Sequence, residues 1–257
     1  MEALLGGRDG QVHRSNDKVY RPRGFWSESV HVLLTHLKHE QFGGAPQAFG
    51  FDEQGNEILS YVSGEVYNYP LVGPIATTEA LNSAAKQLRT YHDATTSLFH
   101  LNSFNELHWQ LPTREPQEVI CHGDYAPYNV VLQNDTVVGM IDFDTAHPAP
   151  RIWDVAYAVY CWAPFKTHPY DALGTITQQT SRARLFCDAY GLVRSARTQL
   201  VDQMIVRLQA LVDFMHHEAA NGNTAFIDNI NDGHHLAYLA DITYLKHHKR
   251  EITEALI

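Results

Sequence analysis

The sequence predicts an α+β fold in two lobes: a small N-terminal antiparallel sheet with one helix, and a larger, mainly helical C-terminal lobe containing a β-hairpin. Three observations carry that prediction. Short extended runs separated by turn residues occupy the first 62 positions around a single amphipathic helix. Apolar residues then recur at helical spacing over much of the remaining chain. Between the helical stretches lies VVLQNDTVVGM, two β-rich runs around Asn134-Asp135 that read as a hairpin with a two-residue loop.

The N-terminal elements follow in order. QVHR and KVYR flank the polar turn Ser15-Asn16-Asp17 and form a hairpin. Ser27 then N-caps a helix whose apolar positions Val30, Leu33, Leu34 and Leu37 lie on one face, ended by Gly43-Gly44. AFGFDEQGNEILSYV supplies strand, Gln-Gly-Asn turn and strand, completing the sheet. Ser63-Gly64-Glu65 breaks it, which places a hinge near 60–65 between lobes at 1–62 and 63–257.

Beyond Pro70 and Pro74 the pattern turns helical. Leu81, Ala84, Ala85, Leu88 and Tyr91 share a face from about Thr77 to Asp93. From about Thr177 the chain is nearly all helical, most clearly where Leu200, Val201, Met204, Ile205, Leu208, Leu211, Val212 and Met215 form one stripe.

With 257 residues and 44% hydrophobic composition, the chain can bury a core without staples. Cys121, Cys161 and Cys187 lack CxxC spacing, so neither a disulfide framework nor a zinc knuckle is expected. No signal-peptide pattern opens the sequence and no run of about 18 uncharged apolar residues occurs, so a cytoplasmic protein is expected. The net charge of −10 argues against nucleic acid or an anionic membrane as partner, since both reward clustered Lys and Arg.

The chemistry concentrates in Cys121-His122-Gly123-Asp124-Tyr125-Ala126-Pro127-Tyr128-Asn129, the hairpin, and Ile141-Asp142-Phe143-Asp144. With Asn134-Asp135 as the loop, Leu132 faces Val137 and Asn129 falls opposite Met140. Asn129 and Asp142 then become diagonal neighbours on one face, roughly 7–8 Å apart at the backbone, where an amide and a carboxylate can share a hard cation. Asp124 lies on the loop entering the hairpin, able to face a substrate. Phosphoryl transfer needs these parts: a carboxylate to orient the incoming hydroxyl and accept its proton, and oxygen ligands for magnesium.

Protein kinases carry H-R-D-x-x-x-x-N followed by D-F-G. Here the Asp-to-Asn spacing is the same, with Gly123 in place of that Arg and Asp142-Phe143-Asp144 in place of D-F-G. The combination resembles the aminoglycoside phosphotransferase family, kinase-like enzymes of small-molecule hydroxyls, which reads H-G-D-x-x-x-x-N, a hairpin, I-D-x-D or I-D-x-E, and a further Asp about ten residues on, here Asp154. The resemblance implies a protein-kinase-like fold with residues 1–62 as the nucleotide-binding lobe and 63–257 as the catalytic and substrate-binding lobe. It implies Asp124 as catalytic base, Asn129 and Asp142 as magnesium ligands, and Asp144 as a second acidic group at the metal. His122 and Asp154 would be structural.

The donor would be ATP or GTP. Gly6-Gly7-Arg8-Asp9-Gly10 is a candidate phosphate loop, with Gly7 and Gly10 allowing close backbone approach. The family usually holds the phosphates with a Lys paired to a helix Glu, and this sequence departs there. Lys18 and Arg21 are the candidate cations, Arg21 preferred, while the helix offers Glu28 in its first turn and Glu40 past its end. The base would sit on the backbone of Ser60, Tyr61 and Val62.

Sixteen histidines include three adjacent pairs, but neighbours on a helix diverge by about 100° and make poor chelates. Cys121 and His122 point to opposite faces of an extended segment and cannot form a thiol dyad. The expected function is therefore magnesium- and nucleotide-dependent phosphorylation of a small-molecule hydroxyl, on an aminoglycoside, amino-alcohol or sugar-like acceptor. The alternative is a nucleotide-binding regulatory module of the same fold without turnover. Asp213, Glu218, Asp228, Asp232 and Asp241 are carboxylates that could favour a polyamine-like acceptor and could equally be surface charge.

Overall fold

The computed structural model describes residues 2–4 and 11–257. Its chain packs into two compact units. One comprises the N-terminal residues to Tyr67, Lys86–Tyr125 and Asn129–Arg151; the other comprises Asn68–Ala85, Ala126–Tyr128 and Ile152–Ile257.

The first unit holds a five-stranded antiparallel sheet of β1 (Glu2–Ala3), β2 (His13–Ser15), β3 (Lys18–Pro22), β4 (Ala48–Phe51) and β5 (Asn56–Ser60), in the order β1-β2-β3-β5-β4. The β2–β3 turn is Asn16-Asp17, with Asn16 at φ 56°, as a two-residue hairpin requires. Helix α1 (Ser27–His39) buries the expected Val30, Leu33, Leu34 and Leu37. Its cap differs from expectation: Trp26 occupies the N-cap position, and the Ser27 hydroxyl accepts the Gly24 N–H at 3.0 Å. Helix α2 (Thr78–Thr95), which enters this unit at Lys86 and belongs to the other up to Ala85, buries Leu81, Ala84, Ala85, Leu88 and Tyr91 completely.

Two small ladders position the motif loops. Strand β6 (Val119–Cys121) pairs antiparallel with β9 (His147–Ala149), and β7 (Val130–Gln133) pairs with β8 (Thr136–Met140). His122-Gly123-Asp124 therefore leaves β6, and Asp142-Phe143-Asp144 runs from the hairpin into β9. The hairpin loop is Asn134-Asp135, and Gln133 faces Thr136 and Leu132 faces Val137 as expected. The register then slips by one: Val131 faces Gly139 and Val130 faces Met140. Asn129 lies opposite Ile141 instead of Met140, its carbonyl accepting the Ile141 N–H at 2.9 Å. A β-bulge, one extra residue on β8, causes the shift.

The segment after β5 is tied to this hairpin. Glu65 and Leu132 exchange both backbone hydrogen bonds at 2.9 Å, and Gln133 Nε2 donates to Ser63 O. Gly64, at φ 148°, leaves no room for a side chain: a Cβ there would lie 2.5 Å from Leu132 O.

The second unit is helical: most of α3 (Arg151–Trp162), then α4 (Ile176–Tyr190), α5 (Arg194–Arg197), α6 (Leu200–Ala220), α7 (Thr224–Asn231) and α8 (His234–Leu256). A Thr175/Gln178 capping box opens α4 and left-handed Gly191 closes it. On α6 the stripe is buried except for half-buried Ile205 and Leu211. Buried Arg207 joins that face, its guanidinium 4.5 Å from the Tyr157 ring centre and 5.4 Å from that of Trp153. Among the described residues, no helix is long and apolar enough to cross a membrane.

Candidate active site

His122 organises the motif loop. It is fully buried, with its ring edge-on to Tyr91 and Tyr125 and 4.9 Å from Phe143. Its Nδ1 accepts the Asp124 N–H at 3.3 Å, so Nε2 carries the proton and donates to Ile141 O at 3.0 Å. One imidazole thus ties the start of the Asp124 loop to the residue before Asp142. Gly123 lies between them at φ 83°, and a Cβ there would meet Thr145 O at 2.3 Å. The arginine that kinases carry at this place is sterically excluded. Thr145 Oγ1 donates to His122 O at 3.0 Å, closing the loop from the other side.

Asp124 and Asn129 are brought together. Asn129 Nδ2 donates to Asp124 Oδ2 at 2.8 Å and to Asp124 O at 2.9 Å. The amide nitrogen is committed to Asp124, so the oxygen is the atom with which Asn129 would ligate a cation. Asp142 adopts a left-handed conformation, φ 63° and ψ 69°, ahead of the 3-10 turn Phe143–Thr145. A non-glycine residue held there is strained, a feature common at functional sites.

Arg21 joins Asp142 and Asp144 from strand β3. Its Nη1 lies 3.0 Å from Asp142 Oδ1, and its Nη2 contacts Asp144 Oδ1. Asp142 is 48% exposed at its side chain and Asp144 17%. Burial pushes the Asp144 carboxyl above the usual carboxylate range; the Arg21 charge opposes this and the Asp142 charge reinforces it.

Sequence reasoning missed Glu57. Neither Glu28 nor Glu40 pairs with Arg21 in the hydrogen-bond and ion-pair network: Glu28 is exposed, and Glu40 accepts from Ser97 Oγ at 2.9 Å. Arg21 Nε instead donates to Glu57 Oε1 at 2.5 Å, directly across from it on β5. His31 of α1 reaches Glu57 Oε2 at 3.0 Å. Burial opposes the arginine's charge, but Asp144, Asp142 and Glu57 together hold its pKa above the ordinary value. Burial likewise raises Glu57, yet the His31 hydrogen bond and the Arg21 charge leave its carboxyl below the usual range. A signal existed: Glu57 is in phase with buried Leu59 on its strand, and an acid on the apolar phase needs a partner.

One guanidinium faces three carboxylates here. The oxygen donors and the excess of negative charge suit a hard divalent cation such as magnesium. Elsewhere, the Ser60 N–H donates to Gln47 O at 2.8 Å and the Tyr61 N–H to Asp17 O at 2.7 Å. Val62 packs where Gly139 leaves space; a Cβ on that glycine would be 2.6 Å from Val62 Cγ1. Gly7 and Gly10 lie outside the described residues.

The fold, the His-Gly-Asp loop and the acidic cluster define a kinase-like phosphotransferase core. The sequence profile of the phosphotransferase enzyme family matches residues 76–190, and the chain belongs to this family. It is 33% identical over 267 aligned positions to the trifolitoxin immunity protein of Rhizobium leguminosarum bv. trifolii, covering 98% of this chain and 97% of that one. Among solved structures, it is similar to an aminoglycoside phosphotransferase homologue from Ralstonia eutropha JMP134, with TM-score 0.60 and 14% identity over 89% of this chain and 86% of that one. The GDP complex of wild-type aminoglycoside 2'-phosphotransferase-IIIa superimposes with TM-score 0.56 and 13% identity over 96% and 92%. At these identities the solved structures establish the shared fold.

Proposed function

We propose that this protein is a nucleotide-triphosphate-dependent O-phosphotransferase acting on the hydroxyl of a small molecule. The observation that carries the reading is the Asp124–Asn129 pair beside a loop whose Asp142 and Asp144 converge on Arg21. Asp124 takes the proton of the acceptor hydroxyl as its oxygen bonds to the γ-phosphorus. The bond to the β,γ-bridging oxygen breaks and nucleoside diphosphate leaves. Asn129 and Asp142, with Asp144 nearby, would hold magnesium, which neutralises phosphate charge when bound. Arg21 steadies the phosphates, and Ser60 and Val62 border the base.

The test is magnesium-dependent release of ADP or GDP across a panel of amino-sugars, amino-alcohols, nucleosides and sugars, with Asp124→Ala as control. The relative's name adds trifolitoxin to that panel. Acceptor-dependent release that disappears in the control supports the reading. Tight nucleotide binding without turnover on any acceptor favours the regulatory module.

A further inference from the structure

We infer that Glu57 and His31 position Arg21 to grip the nucleotide phosphates, a task the family usually gives to a lysine paired with a helix glutamate. The inference rests on the phosphotransferase reading above and assigns roles to two residues within it. Arg21 and Glu57 are cross-strand partners, so their side chains share a face of the sheet. Phe51 is the partner of Glu57 on its other side, on β4. The His31 ring stacks flat on Phe51, with centroids 4.6 Å apart and planes 4° apart, while its Nε2 reaches Glu57. Strand β3 and helix α1 therefore meet at the Glu57 carboxylate on β5, with Phe51 of β4 backing the His31 ring.

The two Glu57 oxygens divide the work. Oε1 takes Arg21 Nε at 2.5 Å, and Oε2 takes His31 Nε2 at 3.0 Å. A glutamate held ionised accepts hydrogen bonds only, so His31 carries its proton on Nε2. Holding the guanidinium by Nε leaves Nη1 and Nη2 at the far end of a planar fork, where they meet Asp142 and Asp144. A lysine must divide the three N–H donors of a single nitrogen between its glutamate and the phosphates, whereas the guanidinium assigns the two tasks to different nitrogens at opposite ends of a rigid plane. The arginine and the strand glutamate therefore belong together as a pair. Glu57 is 1% exposed at its side chain, and a buried carboxylate is costly without its cation, so Arg21 stays anchored when its outer nitrogens change partners.

Glu57 and His31 are thus positioning residues for phosphate binding and leave the base site alone. The test measures affinity for nucleoside, nucleoside diphosphate and nucleoside triphosphate in the adenine and guanine series, with magnesium, by calorimetry on the full chain. Wild type is compared with Glu57→Gln and His31→Phe, the latter keeping the stack on Phe51 but not the hydrogen bond. Glu57→Gln is expected to weaken triphosphate binding about tenfold, and His31→Phe about threefold, with nucleoside affinity unchanged in both. Should Glu57→Gln fail to fold, His31→Phe carries the test. Unchanged triphosphate affinity in the folded variants, or a parallel loss of nucleoside affinity, overturns the inference. Wild type that binds none of the ligands overturns it together with the phosphotransferase reading, an outcome visible before any variant is made.

Discussion

Asn129 holds Asp124 through two hydrogen bonds from one amide nitrogen, 2.8 Å to Oδ2 and 2.9 Å to the backbone carbonyl. The amide fixes both the direction of the carboxylate and the turn that carries it. Replacing Asp124 by Asn keeps the shape and removes the proposed proton acceptor, so kcat is expected to fall about 10²- to 10⁴-fold with the nucleotide KM little changed. Asn129→Leu removes the orienting bonds and the proposed cation ligand together, and is expected to lower kcat and raise the magnesium requirement. Steady-state kinetics across magnesium concentrations separate the two variants; equal magnesium dependence would argue against Asn129 as a ligand.

Gly123 links His122 to Asp124 at φ 83° with Thr145 O in the position a Cβ would take. Gly123→Ala meets both the conformational penalty and the clash. The expected cost is about 1–3 kcal/mol from the backbone conformation alone. Because Asp124 is the next residue, kcat should fall at least about tenfold, as displacement of a positioned group usually does. Thermal denaturation and kcat measured on the same preparation check this, and a fully active variant of wild-type stability would contradict the geometry.

Glu57 gives a pH dependence whose sign is fixed. Its folded pKa lies below the ordinary glutamate value. Its stabilising contribution is therefore complete above the unfolded pKa and is lost as pH falls through the lowered folded one. Glu57→Gln lacks this titration. The difference in melting temperature between wild type and variant should be full near neutrality and narrow below the ordinary glutamate range. A gap that stays constant into acid would show that the Arg21 and His31 partners do not hold the carboxylate ionised.

What was legible in the sequence was local. Asn134-Asp135 between two β-rich runs set the hairpin loop, and the spacing of Leu33, Leu34 and Leu37 set the buried face of α1, because turn chemistry and helical periodicity act over a few residues. The one-residue slip beyond Leu132 was not legible: no compositional mark distinguishes the extra residue on β8. The β6–β9 ladder joins segments more than twenty residues apart, and neither three-residue strand shows a period of its own. Arg21 was reachable because a cation at the end of a strand is conspicuous. The family resemblance places its partner on the helix, whereas the register of β3 and β5 places Glu57 opposite it. The phase of Glu57 with Leu59 would have pointed there.

Asp241 belonged to a set of acidic residues that composition would offer to a polycationic acceptor, and packing gives it another role. It is buried on α8, where Oδ2 accepts the Tyr160 hydroxyl at 2.6 Å and Oδ1 accepts the Thr167 N–H and hydroxyl at 2.6 and 2.7 Å. Lys166 Nζ donates to the same Tyr160 oxygen at 3.2 Å. Asp241→Ala would strand the Tyr160 hydroxyl and the Thr167 N–H, at an expected cost of about 2–4 kcal/mol. In a chain of this size that corresponds to a fall in melting temperature of about 5–15 °C. Asp232→Ala, at an exposed position, should move it by less than about 1–2 °C. Calorimetric melting of the two variants side by side decides between the roles: a stable Asp241→Ala protein that has lost affinity for cationic acceptors would return Asp241 to the acceptor site.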